Sequence, residues 1–242
     1  MNDYKYGDGL TTQELLSMLD RLPKNMECFK SLGYLQKENK ALYENAYNHF
    51  MDVNAKKNLN GKSQEDDNRI KGKALEDLVS LLFEFTGGYY DVYKNVRNGS
   101  NEIDVFLSLS RKGKCVAQLI NNRYKKLLCE CKNYKSTISV TYVGKFYSLM
   151  QTTNNKVGIM FSYSGFTGAS WGGAKGLTKK LFLLREREED RLYILEFTNK
   201  DFKDILDGKG LFDILESKCL ELEMGLDDIT KYINTHPNEG KL

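Results

Sequence analysis

Apolar positions fall into helical and strand-like runs that change character near residue 60. Leu15, Leu16, Met18, Leu19 and Leu22 recur at helical spacing behind Thr11 and Glu14, the spacing of a capping box, and Pro23 closes the run. Residues 26–57 carry a second helical pattern that includes Phe29, Leu42, Tyr43, Tyr47 and Phe50, interrupted at Gly33. Residues 54–68 are polar and read as a loop or linker. The pattern predicts an N-terminal helical region over 1–60, suited to dimerisation or target recognition, and a second region over 61–242.

In the second region, Ile70, Ala74, Leu78, Leu81, Leu82 and Phe85 trace an apolar helical stripe closed by Gly87-Gly88. Strand-like runs follow at Tyr89 to Val96, Glu102 to Leu109 and Leu127 to Tyr134, with a turn at Asn98-Gly99-Ser100. Val140 to Met150 has helical spacing, and Val157 to Tyr163 reads as a buried strand. After a glycine-rich stretch over 165–176, Leu177 to Leu184 reads as helix and Leu192 to Phe197 as a last strand. One or two helices then close the pattern over 200–222, around Gly208 and Gly210. Strands followed by alternating helices predict an α/β fold with a mixed sheet covered on both faces.

Charge changes this picture more than composition does. Apolar residues make up 40% of 242 residues and charged residues 29%, enough for a sizeable core. The net charge of +3 conceals a strong division. Residues 1–104 hold 14 Lys/Arg and 17 Asp/Glu, residues 105–185 hold 14 and a single acid, Glu130, and residues 186–242 hold 8 and 15. A segment of net +13 between acidic flanks predicts a face for a polyanion.

Other chemistry is disfavoured. His49 and His236 are the only histidines, so a histidine base or two-histidine metal site has little support. The five cysteines form no Cys-x-x-Cys pair, and a zinc pair at Cys129 and Cys131 lacks a second pair, so reduced and mostly buried thiols are expected. Gly168 to Lys175 lacks the Gly-Lys-Thr of a phosphate loop, so no nucleotide cofactor is expected; Trp171 within it reads as a core anchor rather than a base-facing wedge. The N-terminus has no signal pattern and no apolar run reaches membrane-spanning length, which predicts a cytoplasmic location without a membrane.

Three carboxylates and one lysine stand in unusual places. Glu130 and Lys132 lie two apart on an apolar strand and share a face. Asp104 interrupts Ile103-Asp104-Val105-Phe106, and Glu76 adjoins the stripe of the first helix of the second region. Charges on core strands are costly unless compensated. A hard cation compensates: Mg²⁺ favours oxygen ligands and keeps several waters, so Asp104, Glu130 and the Cys131 carbonyl form a candidate set, with Mn²⁺ as a substitute. Lys132 would face the attacking water or the scissile phosphate, and Glu76 would bind a second metal or hold a water.

The series Glu76, then Glu102-Ile103-Asp104-Val105, then Glu130-Cys131-Lys132-Asn133-Tyr134 resembles the E…D…ExK signature of the PD-(D/E)xK nuclease superfamily. It is most similar to the Mrr-type restriction endonuclease catalytic domain. Gly72 to Val79 and Gly165-Phe166-Thr167-Gly168-Ala169 supply two further motifs, so the likeness covers about residues 69–185. Gly99-Ser100-Asn101-Glu102 stands where that family has Gly-x-Gly, which puts a second acid, Glu102, near Asp104.

The resemblance implies a restriction-endonuclease-like α/β core, a mixed central sheet flanked by helices, with an N-terminal helical appendage. It implies Mg²⁺-dependent hydrolysis of DNA phosphodiesters by in-line attack of water, with Glu76, Asp104, Glu130 and Lys132 catalytic. Double-stranded DNA is the expected partner and a homodimer would cut both strands. Cleavage of branched DNA, as in Holliday-junction resolvases, and non-catalytic nucleic-acid binding are the alternatives. Tyr134, Lys135 and Lys145 near the active strand are candidate phosphate contacts. So are Arg123, Lys125 and Lys126, in a connection over 112–126 expected to be an extended hairpin or inserted loop.

Overall fold

Two interleaved sets of apolar positions build the sheet and assign the helices to its faces. The computed structural model describes residues 5–6, 10–11, 13–14, 17, 33–55, 64–98, 101–117, 120–133 and 136–226. Helices α1 (Lys40–Ala55) and α2 (Gln64–Phe85) precede strands β1 (Tyr90–Asn98) and β2 (Asn101–Leu109). A short helix α3 (Arg111–Cys115) leads to β3 (Lys126–Cys131), α4 (Val140–Thr153) and β4 (Val157–Phe161). Then come α5 (Gly173–Leu183), β5 (Tyr193–Phe197), α6 (Asn199–Leu206) and α7 (Leu211–Met224). Lys5–Tyr6 and Leu10–Thr11 form a separate two-stranded ladder.

The five strands stand in sequence order, β1-β2-β3-β4-β5. The β1–β2 and β2–β3 pairs are antiparallel, whereas the β3–β4 and β4–β5 pairs are parallel. The parallel pairs need crossovers, which α4 and α5 supply. Every residue of β4, Val-Gly-Ile-Met-Phe, is buried, as a central strand covered on both faces requires.

Leu127, Cys129, Val157, Ile159, Phe161, Leu195 and Phe197 face a cluster built with α1, α2, α6 and α7. Leu128, Met160 and Ile194 face a second cluster under α4 and α5. Tyr43, Tyr47 and Phe50 place α1 in the first cluster, beside Leu75, Leu78 and Leu82 of α2. Period-two alternation therefore sets Glu130 on the α4 side and Cys131 on the α2 side.

The structure departs from the sequence pattern at several points. Residues 64–68 are the first turn of α2 rather than a loop; Glu65, Asp66 and Asp67 suit a helix N-terminus electrostatically. The connection over 112–126 is neither an extended hairpin nor an open loop where it is described. It holds α3, capped by the Ser110 side chain accepting from the Gly113 amide, and a single turn, Asn122–Tyr124, capped by Asn121. α5 begins at Gly173, four residues before the apolar pattern starts. The Thr11–Glu14 capping box forms, with Thr11 N donating to Glu14 Oε2 at 2.8 Å and Glu14 N to Thr11 Oγ1 at 3.2 Å. Most of the expected helix over 11–22, and residues 26–32, lie outside the described residues.

Candidate active site

The site begins where two strands part. β2 pairs with β3 from Ser108↔Lys126 as far as Val105↔Cys129. Beyond that point, among the described residues, β2 pairs only with β1. The Cys131 N–H points to the same side as that of Cys129 and so loses its ladder partner. Asp104 Oδ2 accepts it instead, at 2.7 Å. A buried backbone donor is thereby satisfied by a charged acceptor, which also fixes the carboxylate beside the end of β3.

Lys132 sits among the acids. Its Nζ lies 2.6 Å from Glu130 Oε1 and 3.5 Å from Asp104 Oδ2, and the three side chains are only 16–20% exposed. Burial pushes the Glu130 carboxyl above its usual range and the Asp104 charge adds to this, while Lys132 opposes both. Glu76, on α2, is pushed up by burial first and then by Asp104, with Lys73 and Lys132 pulling the other way. Carboxylates thus crowd one ammonium where solvent reaches them poorly.

That donor set suits a hard divalent cation, which requires one or two carboxylates and takes water for the rest. Among the described residues no group of three His, Cys, Asp or Glu side chains is arranged to hold a metal. A cation here would rest on Asp104 and Glu130. The thiols take no part: Cys129 and Cys131 are buried, and burial holds both well above the usual thiol range.

The other candidate residues separate. Arg123, Lys125 and Lys126 lie at the start of β3, about 20 Å of strand away from Lys132. Arg123 pairs with Glu223 at 2.8 Å and stacks over the Tyr193 ring. Lys145 is on the exposed side of α4. Tyr134 and Lys135 lie outside the described residues, as does the side chain of Glu102, whose backbone pairs with Arg97. Trp171 is 47% exposed and not a core anchor; its ring lies over Lys179.

Two residues that the sequence pattern did not single out support the site. Asn133 is 5% exposed and its Nδ2 donates to the Lys71 carbonyl at 2.8 Å, tying the end of β3 to the helix that bears Glu76. Glu196 lies in the same lateral row as Glu130, through Glu130↔Met160 and Met160↔Glu196. It accepts from Phe166 N at 2.7 Å and pairs with Lys175 at 3.1 Å, so it pins both ends of the glycine-rich turn. An acid inside Tyr193-Ile194-Leu195-Glu196-Phe197 was the available signal.

A hairpin that delivers an aspartate to the end of a Glu-x-Lys strand, on a mixed sheet flanked by helices, marks the class of nucleases of restriction-endonuclease type. The family model described as restriction endonuclease, the Mrr catalytic domain, matches residues 68–189, half of the chain, and the chain belongs to that family. No curated protein and no solved structure matches it.

Proposed function

We propose that this protein is a divalent-metal-dependent endodeoxyribonuclease acting on double-stranded DNA, in a restriction or defence role. The observation that carries the reading is the convergence of Asp104 and Glu130 on the Lys132 ammonium. Asp104, Glu130 and the Cys131 carbonyl would hold Mg²⁺, or Mn²⁺ in its place. When bound, the ion supplies Lewis-acid polarisation of the scissile phosphate and neutralises charge.

The side chains do the rest. Glu130 holds Lys132 by their ion pair, and the Cys131 amide holds Asp104. Lys132 donates hydrogen bonds to the phosphoryl oxygen as negative charge develops there and orients the attacking water. Water oxygen bonds to phosphorus as the bond from phosphorus to the in-line sugar oxygen breaks; water gives up a proton to solvent and the leaving oxygen takes one up from solvent, so the sum is one water added across the phosphodiester. Glu76 accepts a hydrogen bond from that water or adds a carboxylate to the ion's surroundings.

Cutting both strands calls for two sites, so a homodimer is part of the proposal, with residues 1–60 as its candidate surface or as a target-reading element. Lys145, Tyr134 and Lys135 are the proposed phosphate contacts nearest the site in sequence. Among the described residues no helix is long and apolar enough to cross a membrane; a cytoplasmic location is proposed from the DNA substrate.

The test is incubation with supercoiled plasmid in Mg²⁺, Mn²⁺ or EDTA, beside linear, methylated and four-way-junction duplexes. Nicked or linear product formed only with metal supports the reading. No product on any substrate, or equal product in EDTA, overturns it; preference for the junction would move the substrate to branched DNA.

A further inference from the structure

The β1–β2 ladder runs from Tyr90↔Leu109 to Asn98↔Asn101 in one register, and the only pair missing from it is Asn95 with Asp104. Asn95 adopts a left-handed backbone, φ 52°. Both strands change faces at this pair. Tyr90 and Val92 on β1, and Val105, Leu107 and Leu109 on β2, belong to the α2-side cluster. Val96 and its partner Ile103 belong to the α4-side cluster. Ile103 and Val105 are two apart and would share a face on a regular strand. The reversal lies at Asp104, whose carboxylate accepts the Cys131 N–H.

We infer that Asn95 is a positioning residue for Asp104. A left-handed residue at position 95 rotates its amide and carbonyl out of the ladder. The backbone of Asp104, opposite it, is then released from β1 and turns its side chain toward β3. Asparagine is suited to this role, since its short polar side chain tolerates positive φ better than the β-branched residues that strands otherwise favour. Packing does not explain the choice, because the Asn95 side chain is exposed. The link from Asn95 to Asp104 stands on geometry alone; its consequence for cleavage rests on the function proposed above.

The experiment compares full-length wild type with Asn95→Gly, Asn95→Ala and Asn95→Val. The first readout is hydrogen exchange of the Cys131 amide, which does not depend on activity. Asn95→Val should exchange this amide about tenfold or more faster, Asn95→Ala less so, and Asn95→Gly should restore wild-type protection because glycine adopts positive φ freely. The second readout is the single-turnover cleavage rate, with DNA affinity measured in EDTA. Asn95→Val should cleave about tenfold to a hundredfold more slowly at unchanged affinity, with Asn95→Gly rescuing the rate. If Asn95→Val fails to fold, Asn95→Ala decides. Equal protection across the series overturns the inference, as does a loss in Asn95→Gly equal to that in Asn95→Val. A wild type that never cleaves, with the exchange pattern as expected, sinks the proposed function and leaves this inference standing.

Discussion

The Asp104 carboxylate accepts the backbone N–H of Cys131 at 2.7 Å, which joins the β1–β2 hairpin to the strand carrying Glu130 and Lys132. One side chain therefore serves the fold and belongs to the proposed site as well. Asp104→Ala should strand a buried amide and lower stability by about 1–3 kcal/mol. Asp104→Asn keeps an acceptor and should recover most of that loss while remaining inactive. Thermal melts of the two variants in EDTA, read beside plasmid cleavage, separate the two roles.

A second network gives a pH signature. Burial pushes the Glu223 carboxyl up, but hydrogen bonds from Tyr193 and Arg123, with the Arg123 charge, outweigh it and hold this acid below the usual carboxylate range. A lowered carboxylate contributes stability above its unfolded pKa and loses it as pH falls through the folded one. Glu223→Gln should therefore cost about 1–2 kcal/mol at pH 7 and progressively less below pH ~4.5. Urea unfolding at pH 7 and pH 3 checks this; an equal loss at both would remove the ionic account.

The first turn of α5 has no room for a side chain at Gly176. A Cβ at Gly176 would sit 1.8 Å from the Trp171 carbonyl oxygen, a backbone atom that cannot move alone. Gly176→Ala should destabilise the protein by about 1–3 kcal/mol. Trp171 is the sole tryptophan, so its emission reports the displacement directly.

The basic middle of the chain makes a salt prediction. If Lys145 and its neighbours neutralise several phosphates, DNA affinity in EDTA should fall roughly a hundredfold between 50 and 200 mM salt. Lys145→Ala should lower the slope of log affinity against log salt by about 1. An unchanged slope would take Lys145 out of the interface.

Much of the fold was legible because buried faces enforce periodicity. The stripe of α2, the spacing in α4 and the apolar runs of β3, β4 and β5 all lie in the two clusters. Short or solvent-facing pieces were not legible. The first turn of α2 carries polar residues only, Asp67 among them although it is buried, so no apolar period marks it, and α3 has five residues, too few to show a period. At the site, Glu130 and Lys132 were readable as neighbours on one strand face. The Asp104–Cys131 bond was not, since it depends on where β2 leaves β3. The pairing of Arg123 with Glu223 was not legible either, because the two are a hundred residues apart in sequence. Trp171 looked like core because its residue type usually is; here its backbone is wedged against Gly176 and its ring rests over Lys179.

Lys132, held between Glu130 and Asp104, is proposed to stabilise charge on a DNA phosphate during hydrolysis. The most direct measurement is the single-turnover cleavage rate of Lys132→Ala against wild type in Mg²⁺, with DNA affinity determined in parallel. Removing one such donor should slow cleavage by about 100- to 1,000-fold while affinity changes little. A Lys132→Ala protein that binds DNA and cuts it at the wild-type rate would contradict the account.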